Sequence, residues 1–201
     1  SSGIKIRDSA TTIRLIRFNG IKTEIKKKIV IASSTSPDLE ALVYHTNQIS
    51  QNFYAESILR AISLSENGYG SGPGSVNIIY KFWKDKKVDL RGLCMVDGCG
   101  LSRMNNITTN QLVKMLCVFS KDKNVFPAFY KSLPVAGESG TIRKLSQGTL
   151  SEGNLHAKSG TMARVKSYTG YVKTKSGKLL CFAMIGNNTL WTEVELKYKF
   201  E

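Results

Sequence analysis

The chain has 201 residues and a formal net charge of +14, from 29 Lys plus Arg against 15 Asp plus Glu. With 41% hydrophobic residues and 17 glycines that follow no period, it is neither a disordered chain nor a collagen-like one. Its longest apolar run, residues 179–185, is far short of the ~20 residues a bilayer-spanning helix needs, which leaves a globular α/β or α+β protein with no transmembrane segment in this chain.

Two or three strands are expected over residues 4–32, with Asn19-Gly20 as a turn and Lys26-Lys27-Lys28 as a solvated strand edge. This stretch has too little apolar surface to stand alone, so residues 1–32 read as the tail of a preceding or inserted β domain and residues 33–201 as the main body. Ser36-Pro37-Asp38-Leu39-Glu40 has the N-cap, first-turn proline and first-turn acids of a helix start. That helix should run to about Asn47 with Leu39, Leu42 and Val43 facing inward. After a break at residues 48–51, Phe53, Ile58, Leu59 and Ile62 form the apolar set of a second helix. The glycine-rich residues 68–74 read as a loop, residues 75–86 as a third helix, and residues 92–96 as a short buried strand. Thr109 is placed as the cap of a helix carrying Leu112, Val113, Leu116 and Phe119, and a short helix over 126–133 stops at Pro134. Strands are expected at 155–161, 166–173 and 178–185, the last two joined as a hairpin through Ser176-Gly177. Asn187-Asn188-Thr189 then caps a final helix over 190–200. The order predicts an α+β fold, an antiparallel sheet with helices packed on its faces.

The four cysteines, Cys94, Cys99, Cys117 and Cys181, contain no C-x-x-C pair, and His45 and His156 are the only histidines. No metal-ligand spacing emerges; Cys117, in a helical pattern, and Cys181, in an apolar strand, read as buried thiols, and no metal or organic cofactor is expected. Two other motifs occur together. Ser50-Gln51-Asn52 is an S-x-N at a helix–helix break, and Lys158-Ser159-Gly160-Thr161 is a K-[ST]-G on a strand. A second K-S-G, Lys175-Ser176-Gly177, falls in a hairpin turn, where Ser-Gly is expected for turn geometry alone. An amide-cleaving serine needs a base, a proton path to the leaving amine, a site for the substrate carboxylate and an oxyanion hole. A hydroxyl and a lysine from separate segments can relay the proton, and a glycine lets a substrate backbone lie against the strand.

These are the second and third signatures of enzymes with S-x-x-K, S-x-N and K-[ST]-G motifs. Together with Asp97-Gly98-Cys99-Gly100-Leu101-Ser102-Arg103, Leu133-Pro134-Val135-Ala136-Gly137 and Gly170-Tyr171-Val172, their order resembles the class C penicillin-binding proteins. These are low-molecular-mass D-alanyl-D-alanine carboxypeptidases and endopeptidases with a serine β-lactamase/transpeptidase-like fold. The resemblance implies that Ser50 shuttles a proton between a catalytic lysine and the leaving D-alanine nitrogen. It implies that Asn52 bonds the penultimate amide carbonyl, and that Lys158 adds positive potential and holds Ser50. Ser159 and Thr161 would bind the terminal carboxylate, with Gly160 between them and the Thr161 N–H as half of the oxyanion hole. His156 shares the Lys158 strand face by alternation and is expected to line the cleft.

The S-x-x-K nucleophile is missing from its place. Ser120-Lys121-Asp122-Lys123 and Ser2-Gly3-Ile4-Lys5 fit the letters, one at a charged helix end and one at the terminus. A catalytic lysine needs burial to lower its pKa, which neither context offers. The resemblance therefore implies the C-terminal part of a serine D-Ala-D-Ala carboxypeptidase/endopeptidase. Its partners would be peptidoglycan stem peptides, β-lactams and the missing N-terminal part of the same enzyme, in the periplasm or cell envelope. One rival is a catalytically inactive peptidoglycan-binding module. Another is a basic nucleic-acid-binding domain, but no recognition motif accompanies the scattered cations and no nucleic acid is expected. A Ser-His-Asp site using His45 or His156 with Asp97 lacks a G-x-S-x-G elbow.

Overall fold

Asp38, not Ser36, caps the first helix in the computed structural model, which describes residues 18–20 and 30–200. Its carboxylate accepts the Ala41 N–H at 2.8 Å, so helix α1 runs Leu39–Ile49 with Pro37 ahead of it. The chain divides into two units, Ser1–Ser36 and Pro37–Glu201. In the first, residues 18–20 end in a turn with Gly20 at φ 70°, and residues 30–36 are exposed without regular structure. The strands expected over 4–32 and the Lys26–Lys28 run otherwise lie outside the described residues.

In the second unit α1 is followed by α2 (Asn52–Asn67), α3 (Gly72–Asp85), α4 (Thr109–Phe119), α5 (Phe126–Ser132) and a 3-10 turn at Gly140–Ile142. Strands β1 (Leu155–Met162), β2 (Val165–Lys173) and β3 (Leu179–Asn187) form one antiparallel sheet in that order, and α6 (Glu193–Phe200) closes the described chain. Several boundaries differ from expectation for local reasons. Ser71 caps α3 by accepting from Gly74 N–H at 3.1 Å, so the helix starts inside the glycine-rich run with Pro73 in its first turn. Thr108, rather than Thr109, forms a reciprocal capping box with Gln111. Residues 92–96 are not a buried strand: Cys94 is exposed and makes a single bridge to Asn106. Of the residues expected to face inward on α1 and α2, Leu39 is 62% and Phe53 72% exposed, whereas Leu59 is buried and Leu42, Val43, Ile58 and Ile62 are half-buried.

The sheet's two-residue alternation sorts the core into two layers. Tyr171 on β2 faces α4 and α5 in a cluster with Leu116, Leu133, Phe126, Phe129, Tyr130 and Cys181. Ala157 and Tyr168 face the other way, packing with Ala136, Ile142, Leu145, Phe182, Met184 and Phe200. Two polar contacts fasten α1 to α5: Asn47 donates to Ser132 Oγ at 2.7 Å and Gln48 to the Ser132 carbonyl at 3.1 Å. They fix the end of α1 beside the sheet.

Candidate active site

Helix α1 ends at Ser50 in a left-handed conformation (φ 59°, ψ 50°), with its N–H returned to the Thr46 carbonyl. The reversal presents the Ser50 hydroxyl at the junction before α2, whose first residue is Asn52. Across from it lies Lys158 on β1. Its Nζ donates to Ser50 Oγ at 2.8 Å and to the Ser159 carbonyl at 2.7 Å. Burial, and secondarily the positive charge of Lys166, lowers this ammonium from 10.5 to about 8. The two motifs, far apart in sequence, therefore meet through a direct hydrogen bond.

Among the described residues strand β1 lies at the edge of the sheet, bonded to β2 on one side. On its other side the Ala157 N–H donates to the Pro134 carbonyl at 2.9 Å and the Leu155 carbonyl accepts from Ala136 N–H at 2.9 Å. By alternation, the backbone groups of Ser159 and Thr161 point the same way as those of Ala157, beyond the end of this short cover. Thr141, on the 3-10 turn, shares a 2.7 Å hydrogen bond with the Ser159 hydroxyl. Gly140 makes that approach possible: it has φ 57°, and a Cβ there would lie 2.8 Å from the Gln48 carbonyl oxygen and from Pro134. Thr161 pairs across the strands with Lys166, whose Nζ donates to Thr161 Oγ1 at 2.7 Å. Lys166 and Thr141 were not foreseen from the sequence. The signal for Lys166 was the β1–β2 hairpin itself, which places residue 166 opposite 161 once its tight turn is counted.

Among the described residues, Asn52 makes no side-chain hydrogen bond, and it stands exposed one residue beyond the Ser50 turn. Gly160 has Ser167 Oγ 2.6 Å from where a Cβ would stand, so this position admits only glycine without displacing that side chain. His156 lies on the Lys158 face of β1, but its ring stacks on Tyr130 with centroids 4.1 Å apart and its Nδ1 is buried without a hydrogen-bond partner. Burial lowers its pKa. It packs against α5.

The Asp97–Ser102 segment clamps α2 close to Asn52. Glu56 Oε1 accepts the N–H groups of Gly98 (2.7 Å) and Cys99 (3.0 Å), so Glu56 binds backbone rather than a lysine. Gly98 lies against α2 so closely that a Cβ would be 2.7 Å from the Ala55 carbonyl oxygen. Asp97 accepts from Gly100, Ser102 and Asn105. Glu56, Asp97 and Cys99 could in principle gather around a cation, yet both carboxylates are already committed to holding this loop. The same bonds remove Asp97 as a triad partner, and the His45 ring lies tilted against Tyr54 with centroids 5.5 Å apart. Ser120 ends α4 and donates to the Cys117 carbonyl at 3.0 Å, and Ser2 lies outside the described residues. Lys175-Ser176-Gly177 forms the β2–β3 turn, with Gly177 at φ 79°.

Residues 15–199 match the D-Ala-D-Ala carboxypeptidase 3 (S13) family. The chain belongs to that family. One relative, the D-alanyl-D-alanine carboxypeptidase of Actinomadura sp. (strain R39), is 30% identical over 177 residues, covering 86% of this chain and 32% of the relative. The chain thus spans about a third of the length of the curated relatives it matches. Penicillin binding protein 4 of Haemophilus influenzae, solved with a β-lactam, superposes with a TM-score of 0.77 at 20% identity, over 90% of this chain and 44% of that one. The TLA-3 extended-spectrum β-lactamase superposes at 0.61 with 16% identity, over 80% and 60%. The S13 chain therefore has the serine transpeptidase/β-lactamase fold.

Proposed function

We propose that this chain is the C-terminal part of a serine D-Ala-D-Ala carboxypeptidase/endopeptidase that acts on peptidoglycan stem peptides and is acylated by β-lactams. The observation that carries the reading is the 2.8 Å hydrogen bond from Lys158 to Ser50, which joins the K-S-G strand to the S-x-N turn. In this reading a stem peptide adds to the open part of β1. Its terminal carboxylate meets Ser159 and Thr161, and Lys166 supplies a second cation at that end. The Thr161 N–H faces the scissile carbonyl, and Asn52 holds the penultimate amide. Ser50, held by Lys158, passes a proton to the leaving amine. Gly160 keeps the strand low beneath the substrate, and His156 braces it from the α5 side. The attacking serine and its lysine come from a segment outside these 201 residues. No metal or organic cofactor takes part. The substrate places the enzyme in the periplasm or cell envelope, and no helix among the described residues is long and apolar enough to cross a membrane.

Fluorescent penicillin should label the full-length protein and leave this chain unlabelled. Ser50→Ala and Lys158→Ala should each slow full-length acylation by about 10²–10⁴-fold. Wild-type rates in both variants, or labelling of this chain at Ser120 or Ser2, would overturn the assignment. A full-length protein that binds peptidoglycan but takes no label would be the inactive binding module instead.

A further inference from the structure

We propose that Cys117 and Cys181 are a dithiol pair that closes into a disulfide, joining helix α4 to strand β3. Cys117 occupies the last turn of α4. Beside it, the Leu116 carbonyl accepts the Tyr171 hydroxyl at 2.9 Å, which seats that turn on the sheet. Tyr171 is the cross-strand partner of Cys181, and paired residues point to the same face. This register seats the last turn of α4, which carries Cys117, against β3 at Cys181, and Cys117 is the neighbouring thiol that acts on Cys181. Cys181 packs against the Leu116–Leu133–Tyr171 cluster, and both cysteines are half-buried, open to a small oxidant. The other two cysteines are differently placed: Cys94 is exposed in a loop, and Cys99 sits in the loop that Glu56 clamps.

The oxidant is a low-molecular-mass disulfide such as oxidised glutathione. One cysteine thiolate attacks it and releases the first glutathione thiolate. The second cysteine thiolate then attacks the mixed disulfide and releases the other. Two protein thiols are oxidised, one disulfide is reduced to two glutathione thiols, and the two thiol protons pass to them. Burial, reinforced by the adjacent Cys117 thiol, pushes Cys181 up to about 12, so closure is slow at neutral pH and faster at alkaline pH. The bond encloses α5 and the β1–β2 hairpin in a covalent loop. It lies on β3, the strand separated from β1 by β2, and leaves the Ser50–Lys158 contact untouched. Nothing in this inference depends on the proposed activity, although an oxidising envelope compartment would favour the closed form.

The test uses the 201-residue chain, reduced and then incubated with oxidised glutathione at mildly alkaline pH. The expected product is about 2 Da lighter, and its reactive thiols fall from four to two. Peptide mapping should link residue 117 to residue 181, and the thermal midpoint should rise by roughly 10 °C and fall back on reduction. The Cys94→Ser, Cys99→Ser double variant keeps the pair and should still lose about 2 Da. Four thiols persisting after oxidation, stable glutathione adducts, or a bridge through Cys94 or Cys99 would each overturn the proposal.

Discussion

Ser50 holds a left-handed backbone at φ 59° that glycine adopts without steric cost and serine does not. Ser50→Gly should therefore raise the thermal midpoint by about 2–4 °C, corresponding to about 1 kcal/mol of relieved strain. The same change removes the acceptor of Lys158, and acylation of the full-length protein should fall with it. A variant as reactive as wild type would show that the hydroxyl carries no proton. Lys158 makes a second, pH-dependent prediction. Its folded pKa is lowered from 10.5 to about 8, so between those values the unfolded chain binds the proton that the folded chain has lost. Stability contributed at this site must then rise with pH through that window. Relative to Lys158→Met, the wild type should gain about 3 °C in thermal midpoint between about pH 7.5 and about pH 10. A flat difference across that range would contradict the burial of this ammonium. At this scale Ser50 and Lys158 were legible because their motifs are defined by spacing. Thr141 was not, because its approach to Ser159 depends on how tightly Gly140 lets a short turn lie against α1.

Gly170 shows how closely the elements carrying the site are packed. A Cβ there would run into the His156 carbonyl oxygen and the Ala157 backbone, so β2 meets β1 without room for a methyl group. Gly170→Ala should push β1 outward and destabilise the protein by about 1–3 kcal/mol, measured by denaturant unfolding. Wild-type stability in that variant would mean the two strands separate easily. The sheet was readable from alternation because its two faces are buried against different layers. The helix starts were harder to place. Ser36-Pro37 fits a start as well as Asp38 does, and Asp38 wins by its hydrogen bond to Ala41. The glycines at 72 and 74 suggested a loop, yet the Ser71 cap and first-turn Pro73 begin α3 there. Residues 92–96 have the apolar content of a strand, but they find one bridge to Asn106 rather than a sheet partner.

Over the whole molecule, the +14 charge is spread across several surfaces, including lysines 84, 86, 87, 121 and 123. Such a surface attracts polyanions through long-range, screened forces without reading any sequence. Retention of the chain on an immobilised polyphosphate should fall at least about tenfold between about 0.05 M and about 0.5 M salt. Retention unaffected by salt would point to a specific contact instead. The fold as a whole was visible from the order of its motifs, whereas the partition of the surface was not, since exposure of Leu39 and Phe53 depends on which neighbours cover α1 and α2. The bridge between Val135 and His156 has one more consequence. It occupies the first half of β1's outer margin, so among the described residues only positions 158–162 remain open on that side. A stretch this short can receive one peptide end, but it is a poor template for a second copy of the chain to extend into a continuous ladder. The strand is thereby guarded against self-association by the same segment that limits how far a guest can slide along it.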